Sequence, residues 1–554
     1  MGDISSESAL ASHLAARDAL ISKEQSLRSD TPFRDALSPI AGRACAIVNQ
    51  IREAENSSVW KHDSSNPDNE EGVEVYPGMM FRLAKGRLES TLLWKIVNRM
   101  PKGALLHCHL TAMVEGSWLF EQVLHVEGLH VCASEALDSE AARARAVVRF
   151  KYASTEQGGA SIWSPDYEAN RYVPASQAAD TFPSTGRRGF VAWLSGRVTI
   201  SKQQSIEHHM GVNEVWRTLI SAWPPLGSLL RYEPIYRLFI RKMLQTLAAD
   251  GVQWVEIRDV FGNPFTREGH DVADAGFEYR IAVAGEEIEA FKRTKEGKGF
   301  WGGRVIWTAP RSLDADSLLA SMKDCLQAKK AFPHLIAGFD LVGKEDKAQL
   351  STYAPQLLWF RQQCISQNLE IPFFFHAGEC LGDGDATDSN LYDAILFNSR
   401  RLGHGFSLYK HPHLIDLVKQ RRIMIESCPI SNEVLRLTAT VEAHPLPALL
   451  ARGVSASLSN DDPAVLGQGG AGMSYDFWST LQAWENLGLA GLGSLAENSI
   501  RYAAFEDESD QGWVEGVDGG YEGGGIRAER MRLWREEWEV FCQWIVDEFG
   551  EHWS

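Results

Sequence analysis

The chain predicts an α/β fold, a (β/α)8 barrel of the TIM type with an N-terminal helical extension and an insertion after the first strand. Three observations carry this prediction. Eight short apolar runs recur between residues 103 and 458, separated by stretches with helical spacing. Most of the runs are rich in Val, Ile, Leu or Phe, as strands covered on both faces must be. Four of them end in residues that bind metals or move protons, and in a (β/α)8 barrel such groups come from the carboxyl ends of the strands.

Residues 1–100 read as a helical extension. The segment from Leu14 to Leu27 is spaced like an amphipathic helix, Ser64–Gly72 is rich in turn formers and acids, and a helix around Met80–Asn98 leads to Pro101. Strands are expected at Gly103–His109, Val252–Arg258, Arg304–Thr308, Ile336–Leu341, Ile371–His376, Arg401–Gly405, Ile423–Ser427 and Val454–Leu458. More than a hundred residues separate the first two, far beyond one crossover helix. Residues 125–205, with turn-rich segments at Thr155–Ser161 and Pro183–Gly189, are therefore expected to form an insertion on the top face of the barrel. Helical spacing resumes near Val212–Trp223. The barrel unit spans 101–505. The last unit, 506–554, combines an acidic, Gly-rich loop at Ser509–Gly525 with a Trp-rich amphipathic helix at Arg527–Phe549.

Composition excludes some partners. A formal net charge of −18, with no Lys/Arg-rich block, opposes a nucleic acid. No apolar stretch reaches the roughly 18–20 residues of a membrane span. The segment Met1–Ser6 lacks the apolar core of a secretory signal; its Gly2 and Ser6 fit a loose myristoylation pattern, against which the acidic Asp3 counts. The eight cysteines form no C-x-x-C pair, which predicts free thiols and a cytoplasmic location.

The polar strand ends carry the chemistry. In His107-Cys108-His109 the two imidazoles share one face of a strand, while Cys108 points into the core. His411-Pro412-His413 has the same form, but its proline interrupts any strand. His376-Ala-Gly-Glu379, Gly403-His404-Gly405 and Ser459-Asn-Asp461-Asp462 follow at later strand ends. Three neutral imidazoles, His107, His109 and His376, with the Asp461 carboxylate suit one divalent ion such as Zn2+, water completing the set. No bridging lysine stands out for a second ion. Such an ion brings its bound water to a near-neutral pKa. Glu379, partly desolvated beyond its strand, suits a proton donor to a ring nitrogen; otherwise it is a surface acid. His404 suits orienting the attacking water or taking its proton. Asp462 either binds substrate or caps the following helix.

Leu106-His-Cys-His-Leu110, His376-Ala-Gly-Glu379, Gly403-His-Gly405 and Ser459-Asn-Asp-Asp-Pro463 resemble the metal-site motifs of the adenosine deaminases. Met100–His107 and Leu495-Ala-Glu-Asn-Ser-Ile500, with the long N-terminal extension and the insertion, resemble the adenosine deaminase-related growth factor branch. The similarity runs over residues 80–550. It implies zinc-dependent hydrolytic deamination of adenosine or 2′-deoxyadenosine at the purine 6-position, with His107, His109, His376 and Asp461 as zinc ligands. It implies further that Glu379 protonates purine N1, His404 orients the hydroxide, Asp462 contacts N7, and the backbone N–H of Gly343 meets N3. A glycine at that strand end also lets the backbone approach a flat ligand closely. By the same resemblance the N-terminal helices pair two chains into a homodimer.

This chain departs from the family in two places. Leu110 and Thr111 stand where many members place an aspartate that holds the sugar. The metal chemistry is untouched, but another 6-aminopurine or an N6-substituted adenine nucleoside becomes an alternative substrate, and a different amidohydrolase reaction a further one. Members of the branch are usually secreted and disulfide-bonded in the insertion, whereas Cys132 has no partner nearby in sequence, so an intracellular relative is expected. The H-x-E and P-C-x-x-C signature of polynucleotide deaminases is missing from this sequence. If Glu379 is the proton donor, Glu379→Gln keeps fold and metal but slows turnover by several orders of magnitude; near-normal kcat in the purified variant assigns the role elsewhere.

Overall fold

The computed structural model describes residues 7–61, 75–155 and 159–553. The Met1–Ser6 segment, the Ser64–Gly72 segment and residues 156–158 of the Thr155–Ser161 segment lie outside the described residues.

Eleven strands follow in chain order: β1 (Gly103–His109), β2 (Leu129–Ala133), β3 (Val148–Tyr152), β4 (Val173–Pro174), β5 (Val252–Val260), β6 (Gly302–Pro310), β7 (Ile336–Val342), β8 (His376–Ala377), β9 (Arg401–His404), β10 (Met424–Ser427) and β11 (Ala456–Leu458). β1, β5, β6 and β7 form one parallel sheet; β8, β9, β10 and β11 form another. Isolated parallel bridges join the two sheets at both edges, Phe339 with Phe373 and Cys108 with Asp461. At the first seam the Phe339 N–H donates to Pro372 O (2.9 Å) and the Phe374 N–H to Phe339 O (3.0 Å). At the second, the His109 N–H donates to Asp461 O (3.1 Å) and the Asp461 N–H to His107 O (3.2 Å). The seams link the sheets edge to edge into a ring of eight parallel strands. The strand expected at Ile371–His376 shrinks to two residues, because Pro372 has no N–H to give a ladder. Nearly every strand residue of the ring is buried, as expected where helices cover the outer face.

The insertion is a folded lobe. β2 lies between β3 and β4 in an antiparallel sheet, and the helices Ala175–Asp180 and Gly186–Val198 follow. The Ile200 N–H donates to Val465 O at 2.7 Å, tying the lobe to the loop that carries Asp461 and Asp462. It therefore sits at the carboxyl end of the barrel.

Two expectations about the termini need correction. The acidic segment is not a loop: Asp510–Gly519 is a helix, capped by Ser509 Oγ, which accepts the Gly512 N–H. Trp513 and Val517, one turn apart, are buried and supply the apolar stripe that an averaged composition hides. The helix Glu7–Leu27 is present, but every side chain from Ala9 to Leu27 is exposed, so Leu10, Leu14, Leu20 and Ile21 face no core in this chain. No helix among the described residues is long and apolar enough to cross a membrane.

Below the barrel, the C-terminal helix Gly525–Phe549 packs against the N-terminal extension. Trp534 is fully buried there, close to the rings of Phe33 and Trp538, and its Nε1–H donates to Pro101 O at 3.1 Å, just before β1. Trp534→Ala opens a large void and strands that carbonyl. A loss of about 3–5 kcal/mol is expected in urea unfolding, with Trp534→Phe clearly milder.

Candidate metal centre and active site

His107 and His109 leave one face of β1 at its carboxyl end, and Asp461 lies across the seam from them. His107 Nε2 is 3.4 Å and His109 Nε2 3.2 Å from Asp461 Oδ1. His376 at the start of β8 completes the group: each of the four residues offers a ligand atom, all within 4.8 Å of one another. His107 Nε2 and Asp461 Oδ1 are buried without a hydrogen-bond partner. Buried polar atoms are rarely left so, and a cation repays their desolvation. The donor set, three imidazoles and one carboxylate, fits zinc. Cys428 lies close enough to join a related set with His404, but its Sγ–H points to Glu426 O and burial pushes its thiol well up, away from the thiolate a metal takes.

The far nitrogens of two ligands are held from behind. His107 Nδ1 donates to Glu426 Oε2 at 2.8 Å, and His376 Nδ1 to Asp340 Oδ2 at 2.7 Å. These bonds fix the tautomer that aims each Nε2 lone pair into the site. Arg258 joins the two carboxylates, with Nε on Asp340 Oδ2 and Nη2 on Glu426 Oε2, both at 2.7 Å and all three side chains fully buried. Arg401 continues the chain from Glu426 to Glu256. Burial alone would raise both carboxyls. His376 and Arg258 beside Asp340, and Arg258 and Arg401 beside Glu426, hold them well below the usual carboxylate range instead. Burial pushes His376 down to about 3, which keeps it a neutral ligand. Sequence reasoning missed Asp340, Glu426 and Arg258. For Asp340 the signal was a charged residue inside an otherwise apolar strand, and for Arg258 and Glu426 a charged residue within a strand buried on both faces.

Local backbone strain aims two further groups. His404 and Asp461 hold φ of 63° and 58°, the left-handed region that few non-glycine residues adopt. Ser431 Oγ donates to Asp461 Oδ2 at 2.7 Å, leaving Oδ1 for the cluster. At Gly403 a Cβ would come within 2.8 Å of His107 Cε1, so a glycine there makes room for the ligand ring. Gly343 follows β7 with φ of 106° and open space where a Cβ would be, a backbone position that only glycine takes readily.

The remaining predicted groups converge on the same end. Glu379 is buried, with Oε1 3.5 Å from His404 Nε2. Its backbone N–H and that of Gly378 donate to Glu345, at 2.7 and 3.0 Å, which holds the turn after β8. Burial, and then the charges of Asp461 and Glu345, hold the Glu379 carboxyl well above the ordinary range. Asp462 is raised likewise by burial and by Asp461, and its Oδ1 is buried without a partner. A cavity of about 290 Å³ opens onto Glu379, lined by Asn213, Trp216, Lys344 and Leu437 among others. Leu110 is buried and Thr111 half-buried in a short turn after β1.

The ring of parallel strands with such a cluster at its carboxyl end defines an α/β barrel that carries a candidate metal centre. A solved amidohydrolase from Burkhoderia ambifaria, with bound zinc, shares the fold with a TM-score of 0.51 at 15% identity, over 82% of this chain and 96% of its own. The family model for adenosine deaminase matches residues 203–519, more than half of the chain, and the chain belongs to that family. It is 28% identical to adenosine deaminase 2-A of Danio rerio, over 88% of this chain and 93% of that protein. It is also 28% identical to adenosine deaminase 2 of Homo sapiens, over 84% and 83%. These relatives agree with the growth factor-like branch that the motifs resemble, and the protein is an adenosine deaminase-like aminohydrolase. The matched residues include His376, Glu379, His404 and Asp461; His107 and His109 precede them and join the site through the fold.

Arg258→Ala leaves the buried Asp340 without an arginine and Glu426 with Arg401 alone. A loss of about 3–5 kcal/mol at pH 7 is expected, with zinc affinity down roughly 10–100-fold by chelator competition. The sign with pH follows. Depressed carboxylates stabilise fully above their unfolded values of about 4 and lose that contribution as acid titrates them. The gap between Arg258→Ala and wild type in urea unfolding therefore holds from pH 7 down to about pH 5 and narrows below about pH 4, as the pH falls towards the depressed folded values.

Proposed function

We propose that this enzyme deaminates adenosine and 2′-deoxyadenosine to inosine and 2′-deoxyinosine, taking up water and releasing ammonia. One zinc ion, held by His107, His109, His376 and Asp461, serves the reaction. Bound there, it supplies a nucleophile at neutral pH by acidifying a water. Glu379 then acts at purine N1: a carboxyl held well above the ordinary range by burial and by Asp461 and Glu345 suits a group that gives up a proton as C6 is attacked. Asp462, raised by burial and by Asp461, contacts N7, and the Gly343 N–H meets N3. His404, with Nε2 3.5 Å from Glu379 Oε1, orients the attacking oxygen. The observation that carries the reading is a buried Glu379, its carboxyl held well above the ordinary range, at one wall of the cavity and next to the histidine–aspartate cluster.

Loss of absorbance at the adenosine maximum tests it. Rapid conversion that a chelator abolishes and zinc restores is expected. No conversion by protein that holds stoichiometric zinc overturns the nucleoside assignment. Leu110 and Thr111 favour a second reading, an N6-substituted adenine nucleoside or another 6-aminopurine, which a substrate panel with adenosine best by a large factor removes. The exposed apolar positions of Glu7–Leu27 support a homodimer through the N-terminal helices. Light scattering then gives twice 61.7 kDa for the full chain; a monomer refutes it. Eight unpaired cysteines, most of them buried, support a reducing, cytoplasmic setting.

A further inference from the structure

Whether His404 gives or takes a hydrogen bond in the site depends on which ring nitrogen carries its proton. A chain of hydrogen bonds behind the ring decides this. The Leu446 backbone N–H donates to His444 Nδ1 at 3.1 Å. A ring that accepts at Nδ1 carries its proton on Nε2. His444 is buried, and burial pushes it down to about 3, so no second proton joins it near neutrality. Its Nε2 lies 2.9 Å from Asn432 Oδ1, which accepts. The Asn432 amide NH2 therefore faces His404 Nδ1, at 3.2 Å. The opposite amide orientation would set a donor against the His444 Nε2–H, so the Leu446 N–H excludes it. His404 Nδ1 must accept, and the His404 proton is on Nε2. That atom is buried, has no hydrogen-bond partner, and stands 3.5 Å from Glu379 Oε1 and 3.9 Å from Asp461 Oδ2.

We propose that Asn432 and His444 are positioning residues that lock His404 in its Nε2–H tautomer, so that His404 serves the site as a hydrogen-bond donor and not as a proton acceptor. The donor's task, to orient the attacking oxygen, rests on the deaminase reading; the tautomer does not. The two residues begin a division of labour in the segment after β10. Ser431 holds the Asp461 carboxylate, and its neighbour Asn432 sets the proton of the histidine opposite. The His444 ring is itself held edge-on by Phe406, at 5.2 Å between ring centres, which steadies the far end of the relay.

Neutron diffraction from deuterium-exchanged crystals of the zinc-loaded protein tests the assignment directly. Deuterium is expected on Nε2 and not on Nδ1 in both His404 and His444; deuterium on His404 Nδ1 overturns the proposal. Asn432→Asp is nearly isosteric but offers only acceptors. It draws a proton onto His404 Nδ1, and kcat on the best nucleoside falls about 100-fold, with KM little changed because the lost interaction belongs to the transition state. Unaltered kcat, or an His404 Nδ1 that stays bare in this variant, overturns it as well. The two readings fail separately. A wild type that deaminates no adenine nucleoside removes the proposed reaction, while the deuterium positions still decide the tautomer.

Discussion

Arg258 rises from β5 into the middle of the barrel, where no water reaches it, and all of its bonds go to the walls. Its guanidinium meets Asp340 from β7, Glu426 from β10, the Leu106 carbonyl of β1 and the Phe374 carbonyl before β8. Barrels of this class usually fill their interior with layers of branched aliphatic side chains. Here one layer is ionic. A buried ion network of this kind contributes little net stability against its desolvation cost. Its value is directional: two carboxylates held in place hold two imidazoles in place, and the cluster inherits its geometry from one cation.

The groups that face the substrate are built differently from the groups that support them. Arg258, Asp340 and Glu426 sit in regular strand conformation and are fully paired. Asp461 and His404 sit in left-handed backbone, and each keeps a buried polar atom without a partner. Strain and unmet hydrogen bonding both cost free energy, and both concentrate where a ligand would repay them.

Much of the fold was legible because β/α alternation leaves a strong apolar rhythm. The strand ends at His109, His404 and Ser427 fall within a residue of those read from the sequence, and β5 and β6 run slightly longer. The candidate ligands were legible because an imidazole or carboxylate at the end of an apolar run has few other reasons to be there. The supporting network was not, since pairing Asp340 with His376 requires knowing which strands are lateral neighbours, and pairing Glu426 with His107 which strands face each other across the interior. Asn432 and His444 were harder still, because they lie on short connecting elements whose paths no periodicity describes. The Asp510–Gly519 helix was lost in an acidic, Gly-rich average that concealed two well-spaced apolar residues. The exposure of Glu7–Leu27 could not be read from its amphipathic spacing, because a stripe does not say what covers it.

The seam between β1 and β11 has a consequence for how the protein is made. The first strand of the ring supplies His107 and His109, and its lateral neighbour is the last strand, whose end supplies Asp461. On the ribosome, which extends the chain from its N-terminus, the first strand can pair with β5 but must wait for nearly the whole barrel before its second partner emerges. The contact closes the ring over almost the full length of the barrel sequence, and such contacts form late because the entropy of closing a long loop comes first. Capture of an ion by the full cluster is then a report on completion: a chain truncated before Asp461, or stalled there, has neither the closed ring nor the fourth ligand.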